Sequence, residues 1–234
     1  MTEIKQLYLI QLKIVMNYAL AIHTSSPELG LAISNFAGDS RCQTWELGRD
    51  MSTLLHTHLQ DFMSPQTWQD LSFLAVAKGP GGFTGTRIGV VTARTLSQQL
   101  GIPLFAISTL AAFIWWERSH LITAGEPVSD DLDIAVQMPA QRGTVFVAMY
   151  SIKAEFLDNS ETSLAPLELV PLIPDTLLNH ELWQQMLQTW HRPYRLIRAE
   201  GNLGASVMGL LELAYLEWKQ GIRPDWSTTI PFYG

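Results

Sequence analysis

The stretch richest in chemistry-bearing residues is GPGGFTGTRIG, residues 79–89. Gly79, Gly81, Gly82 and Gly85 crowd around Pro80, and glycines at this density let a backbone turn sharply or approach another closely. From Thr86 the pattern turns helical, so the turn stands at a helix N-terminus, where unpaired N–H groups and a positive dipole end can cradle a phosphate. The stretch lacks the Lys-Ser/Thr pair of a P-loop and the spacing of a dinucleotide fingerprint, so a structural turn is favoured over a phosphate site. Arg87 sits in the first helical turn, against the dipole's preference for acids there. It can bind a phosphate or carboxylate, or form an ion pair that locks two lobes or a partner, and the second role is favoured. Lys78, just before the turn, can share it.

The remaining reactive residues make a poor active site. His56 and His58 are two apart, so on a helix they point away from each other, whereas zinc helices carry histidines four apart. His120, His180 and His191 are scattered in polar contexts and read as solvated. His23 closes an apolar run and is followed by Thr24 and Ser25. One imidazole without a carboxylate or second ligand is weak evidence for chemistry, and a tolerated substitution is favoured. Cys42 stands alone, which excludes an internal disulfide and a cysteine zinc site, and it reads as a small apolar residue. No GxSxG elbow is present. Neither a metal site nor a catalytic group is expected.

The elements that must hold these residues are legible around them. Phe73–Ala77 is a short buried strand before the glycine turn, and Gly89, Ala93, Leu96 and Leu100 mark one face of the helix after it. Gly101 and Pro103 stop that helix, and Leu104–Ile107 gives the next strand. Upstream, Tyr18–Ile22, Gly30–Ser34 and Gln43–Leu47 read as three strands. Residues 51–63 form a helix whose Leu54, Leu55, Leu59 and Phe62 recur at helical spacing. A helix over 109–118 completes the order βββαβαβα. Beyond a polar stretch at 123–127, strands are predicted over 132–136, 144–151 and 194–199. Helices are predicted over 174–190 and 205–220.

Length and composition suit one large or two small globular domains: 234 residues, 47% of them hydrophobic. The net charge of −7 argues against a stand-alone nucleic-acid binder, which draws its affinity from Lys and Arg. Trp115, Trp116, Trp183, Trp190, Trp218 and Trp226 read as core or half-buried residues, not stacking platforms for bases. Residues 1–15 are apolar but broken by Glu3, Lys5 and Lys13, too short for a membrane span and without a cleavage site. A cytoplasmic chain is expected.

GPGGFTGTRIG closely resembles the GPGSFTGxRIG signature of the TsaB (YeaZ) family. That family supplies a subunit of the bacterial machinery making N6-threonylcarbamoyladenosine at position 37 of tRNAs that read codons starting with A. The resemblance is strong over Tyr18–Thr109 and weaker but collinear afterwards, ending in a Pro-x-Tyr motif at Pro231-Phe232-Tyr233. Three departures stand out. The family's first strand usually ends in Asp-Thr, and here His23 replaces the acid. An Asp-Ala-Arg segment of the family reads Pro139-Ala140-Gln141 here.

The resemblance implies a two-lobed α/β chain of the ribonuclease H-like, actin/Hsp70-like (ASKHA) class. Residues 1–15 would be an extension ahead of the family's usual start, or a mis-assigned start. Residues 16–122 would form a βββαβα N-terminal lobe, and residues 123–234 a smaller lobe containing the long helix 205–220. It further implies a non-catalytic scaffold without a cofactor. The scaffold would pair with a TsaD-like catalytic subunit and a TsaE-like ATPase, would reach tRNA only through the complex, and is also open to homodimerisation. Core packing is the default for the apolar helix faces, but such a scaffold docks through its N-terminal-lobe helices. Met51, Leu54, Leu55, Leu59, Arg87, Gly89 and Ala93 are therefore the expected partner interface. Two rivals remain: a nucleotide-binding small-molecule kinase or metallopeptidase-like enzyme of the same fold, and a homodimeric module unrelated to tRNA.

Overall fold

Tyr18–His23 (β1) is an unbroken run of buried residues, and such a run belongs inside a sheet covered on both faces. The computed structural model, which describes residues 18–123, 132–154, 167–201 and 203–234, puts it there. Glu28–Ser34 (β2) pairs antiparallel with β1, and Ser40–Glu46 (β3) pairs antiparallel with β2. On the other side Leu71–Ala77 (β4) and Leu104–Ile107 (β5) run parallel, giving the order β3-β2-β1-β4-β5.

Residue size along β1 decides what covers each face. Leu20 and Ile22 point to a layer made by Met51–Met63 (α1) and Phe83–Leu100 (α2), where they meet Leu55, Leu59, Val90 and Ala93. Ala19 and Ala21, small residues on the opposite face, admit a closer layer: Thr109–Thr123 (α3) and, near the end of the chain, Val207–Lys219 (α5). The carboxyl end of α1 is closed by Arg41 of β3. Its guanidinium donates to the carbonyls of Phe62, Met63 and Ser64 and lies over the Phe62 ring. Those carbonyls have no helical partner, so the arginine satisfies them.

The second sheet has the order β8-β7-β6-β9, from Asp133–Pro139 (β6), Thr144–Ala154 (β7), Leu167–Asn179 (β8) and Tyr194–Arg198 (β9). Its outer face is covered by His180–Gln188 (α4), whose buried Trp183 donates from Nε1 to Gln137 Oε1 at 3.0 Å. Its inner face, with Val136, Ala148 and Tyr150, shares one core with α3, α5 and the first sheet. The helix predicted at 205–220 therefore packs on the first sheet, against β1, β2, β4 and β5, and on α3. It is helical from Val207, after a 3-10 turn over Leu203–Ser206.

The helix predicted over 174–190 is corrected: β8 runs on to Asn179, and only then does α4 begin. Pro171 and Pro174 lie on β8, which is an edge strand, where a missing N–H costs little. All six tryptophans above are buried or half-buried, whereas Cys42 stands exposed on β3. The predicted extension over residues 1–15 and the polar stretch from residue 124 lie outside the described residues.

Candidate functional site

The glycine turn is a junction. The N–H of Gly82 donates to Ser25 O at 2.7 Å, and Thr24 Oγ1 donates to Gly85 O at 2.8 Å. A Cβ on Gly81 would lie 2.1 Å from Ser25 O, one on Gly85 2.2 Å from Thr24 O, and one on Gly89 2.1 Å from Thr24 Oγ1. Only glycine lets the β1–β2 turn lie on α2 at these distances. Gly79, at φ +103°, faces the chain's last residues: a Cβ there would meet Phe232 O at 2.4 Å. The N–H of Phe232 donates to Lys78 O at 2.7 Å, and Gly79 O accepts from the N–H of Thr109. The turn thus binds β1, α3 and the final segment together.

Above it opens a cleft of about 1070 Å³ between the two sheets, lined among others by Ser25, Phe83, Pro139, Arg142, Phe146 and Tyr233. Phe83 packs against Tyr233 with ring centroids 4.5 Å apart. The N-terminus of α2 has no side-chain cap. Ser25 Oγ is buried at the cleft wall with no hydrogen-bond partner among the described residues. The cleft can admit a ligand, but its lining brings one acid, Glu200, and one base, Arg142, and no paired acid–base set.

His23 lies beside this junction at 0% exposure, and neither ring nitrogen has a partner among the described residues. Burial lowers its pKa to about 4, with Glu28 pulling weakly the other way. The imidazole is therefore neutral near pH 7 and is sealed from any substrate. Among the described residues no three of His, Cys, Asp and Glu come together to hold a metal ion. His56, His180 and His191 are exposed, and His58 packs on Trp45; the side chain of His120 lies outside the described residues.

The expected partner interface is divided by the structure. Met51, Leu55, Leu59 and Ala93 are buried in the chain's own core, and Gly89 is covered by Thr24. These five are corrected: they face inward, as apolar residues at helical spacing ordinarily do. Leu54, 37% exposed, and Arg87 remain at the surface. Arg87 forms no ion pair among the described residues. It lies instead in an outward stripe with Phe83, 58% exposed, and Val91, 53% exposed. The spacing of residues 83, 87 and 91 is itself helical, a signal in the sequence that a search for buried faces passes over.

Comparison with known proteins bears on all of this. A model of the TsaD family, tRNA N6-adenosine threonylcarbamoyltransferase, matches residues 58–161. The tRNA threonylcarbamoyladenosine biosynthesis protein TsaB of Bacillus subtilis is 32% identical over 179 residues, 74% of this chain and 67% of that protein. TsaB of Escherichia coli is 25% identical over 175 residues, 73% of this chain and 68% of that protein. Among solved structures, YeaZ from Pseudomonas aeruginosa superposes with a TM-score of 0.67 at 18% identity, covering 93% of this chain and 100% of that one. That last likeness speaks to the fold, which is the two-sheet α/β arrangement expected for the actin-like class.

Proposed function

The chain belongs to the TsaB family, and we infer that it is the non-catalytic partner of a TsaD-like subunit. Its function lies in the biosynthesis of tRNA threonylcarbamoyladenosine. The observation that carries this is the 32% identity to the Bacillus subtilis protein across two thirds of that protein's length.

In the reading proposed, the TsaD-like subunit transfers threonylcarbamoyl from its adenylate to N6 of adenosine 37. This chain holds that subunit in its working form, and a TsaE-like ATPase joins the assembly. Three features support a scaffold role. The position of the first-strand acid carries His23, neutral and sealed. The net charge of −7 leaves tRNA to be held by other subunits. The stripe of Phe83, Arg87 and Val91 on α2 offers exposed apolar surface around one cation, and Leu54 is exposed on α1, a composition suited to a protein partner. A homodimer would use the same stripe and compete with the partner. Among the described residues no helix is long and apolar enough to cross a membrane, in keeping with a cytoplasmic site of action. The rival reading, an enzyme of the same fold, is not favoured.

The test is co-purification with the TsaD-like subunit of the same cell, using Val91→Glu and Leu54→Arg as variants. Capture is expected for the wild type and at least tenfold weaker binding for each variant, roughly 1.4 kcal/mol or more, with unchanged circular dichroism. No capture at micromolar concentration would overturn the reading. Gly89→Arg is not a usable control, because its side chain would have to displace Thr24 inside the fold.

A further inference from the structure

A second concavity, of about 400 Å³, opens beyond the carboxyl ends of β4 and β5. Lys78 is the first residue past β4 and Ser108 the first past β5, and the two strands are parallel neighbours. The crevice outside the carboxyl ends of parallel strands is where α/β sheets commonly take ligands. The facing wall comes from elsewhere in the chain: Tyr150 of β7, Asp175 of β8 and Glu217 of α5. Ile107, Leu213 and Phe232 add apolar surface.

The polar groups are held in place but not used up on one another. Asp175 Oδ1 accepts from Ser108 Oγ at 2.8 Å and from Tyr150 OH at 3.3 Å. Ser108 Oγ is itself fixed, accepting from the N–H groups of Leu110 and Ala111 at the start of α3. Asp175 Oδ2 is left without a partner among the described residues. Lys78 attracts both Asp175 and Glu217, yet among the described residues it closes an ion pair with neither. Burial raises the pKa of both carboxyl groups, so each has lost hydration that an arriving cation would replace.

We propose that this concavity binds a small zwitterion of the α-amino-acid type. Its ammonium is taken by Asp175 and Glu217, its carboxylate by Lys78 Nζ, and its apolar part by Ile107, Leu213 and Phe232. The presence of both charge signs selects the class. A simple anion entering would meet two carboxylates, a simple cation would meet Lys78, and a zwitterion satisfies both sides. The volume is near the small end of ligand sites, roughly 300–1,000 Å³.

The test is a titration of the uniformly ¹⁵N-labelled full chain with L-norvaline, with butylamine and butyrate as single-charge analogues, read by amide chemical shifts. Norvaline is expected to give saturable shifts centred on residues 78, 108, 150 and 175, with both analogues at least about tenfold weaker. Glu217→Gln and Lys78→Met, both at partly exposed positions, should each weaken norvaline binding by on the order of tenfold without altering circular dichroism. The proposal is overturned by no saturable shift at millimolar norvaline, by butylamine binding as tightly as norvaline, or by an affinity that neither substitution moves.

Discussion

Protonation of His23 should set much of the chain's acid sensitivity. In the folded state its imidazole has a pKa of about 4, held down by burial, against an ordinary value of 6.5 in the unfolded chain. Between those values the unfolded state binds a proton that the folded state refuses. Stability therefore rises with pH across that window and is level above it. At about 1.4 kcal/mol per pH unit, the gap is worth roughly 3 kcal/mol, lost as the pH falls from about 7.5 to about 4. Asp175 and Glu217 act in the opposite sense. Burial raises their folded pKa values, so what they contribute is present at low pH and is lost as pH rises through those values.

The clean measurement is thus a difference between the wild type and His23→Leu. Leucine removes two buried nitrogens that have no hydrogen-bond partner, so at neutral pH the variant should be as stable as the wild type or more so. Urea unfolding followed by tryptophan fluorescence gives both profiles. The wild type should lose about 3 kcal/mol relative to the variant between neutral pH and about pH 4. Parallel profiles would mean that the imidazole takes up its proton as readily in the folded state as in the unfolded one, and the argument from burial would fail. A chain whose His23 does no chemistry should also, as His23→Leu, sustain normal threonylcarbamoyladenosine levels in cells.

Three further substitutions test the packing. Gly85→Ala puts a Cβ 2.2 Å from Thr24 O, a backbone atom that cannot rotate away, and should cost about 2–3 kcal/mol in thermal or urea unfolding. Gly101→Ala, with φ +66° but open space around it, should cost only about 1 kcal/mol, and equal costs at the two sites would refute the close-approach account. Arg41→Met leaves three carbonyls at the end of α1 without their donor and should lower stability by about 1–2 kcal/mol; an unchanged urea midpoint would show that water replaces the guanidinium at no cost.

What the sequence made legible, and what it hid, follows from how each feature is encoded. β1 to α3 could be read because each element carries its own signal: unbroken apolar strands, a glycine turn, and a helix stopped by Gly101 and Pro103. β8 could not, because an edge strand has no buried face on both sides to demand an apolar run, and its prolines imitate the start of a helix. Five residues of the candidate interface turn inward for a different reason. Apolar spacing at Met51, Leu55, Leu59 and Ala93 says that a helix face is covered, and the nearest cover is the chain's own sheet. The small residues Gly85 and Gly89 likewise invite a close neighbour, and that neighbour is Thr24. A face satisfied inside the fold is not available to a partner. What the core leaves exposed on α1 and α2 includes Leu54 and the Phe83, Arg87 and Val91 stripe, whose periodicity was present in the sequence but complementary to the pattern that marks a core. For a chain read from one sequence, a partner interface is therefore better sought in apolar residues that break the buried face than in those that make it.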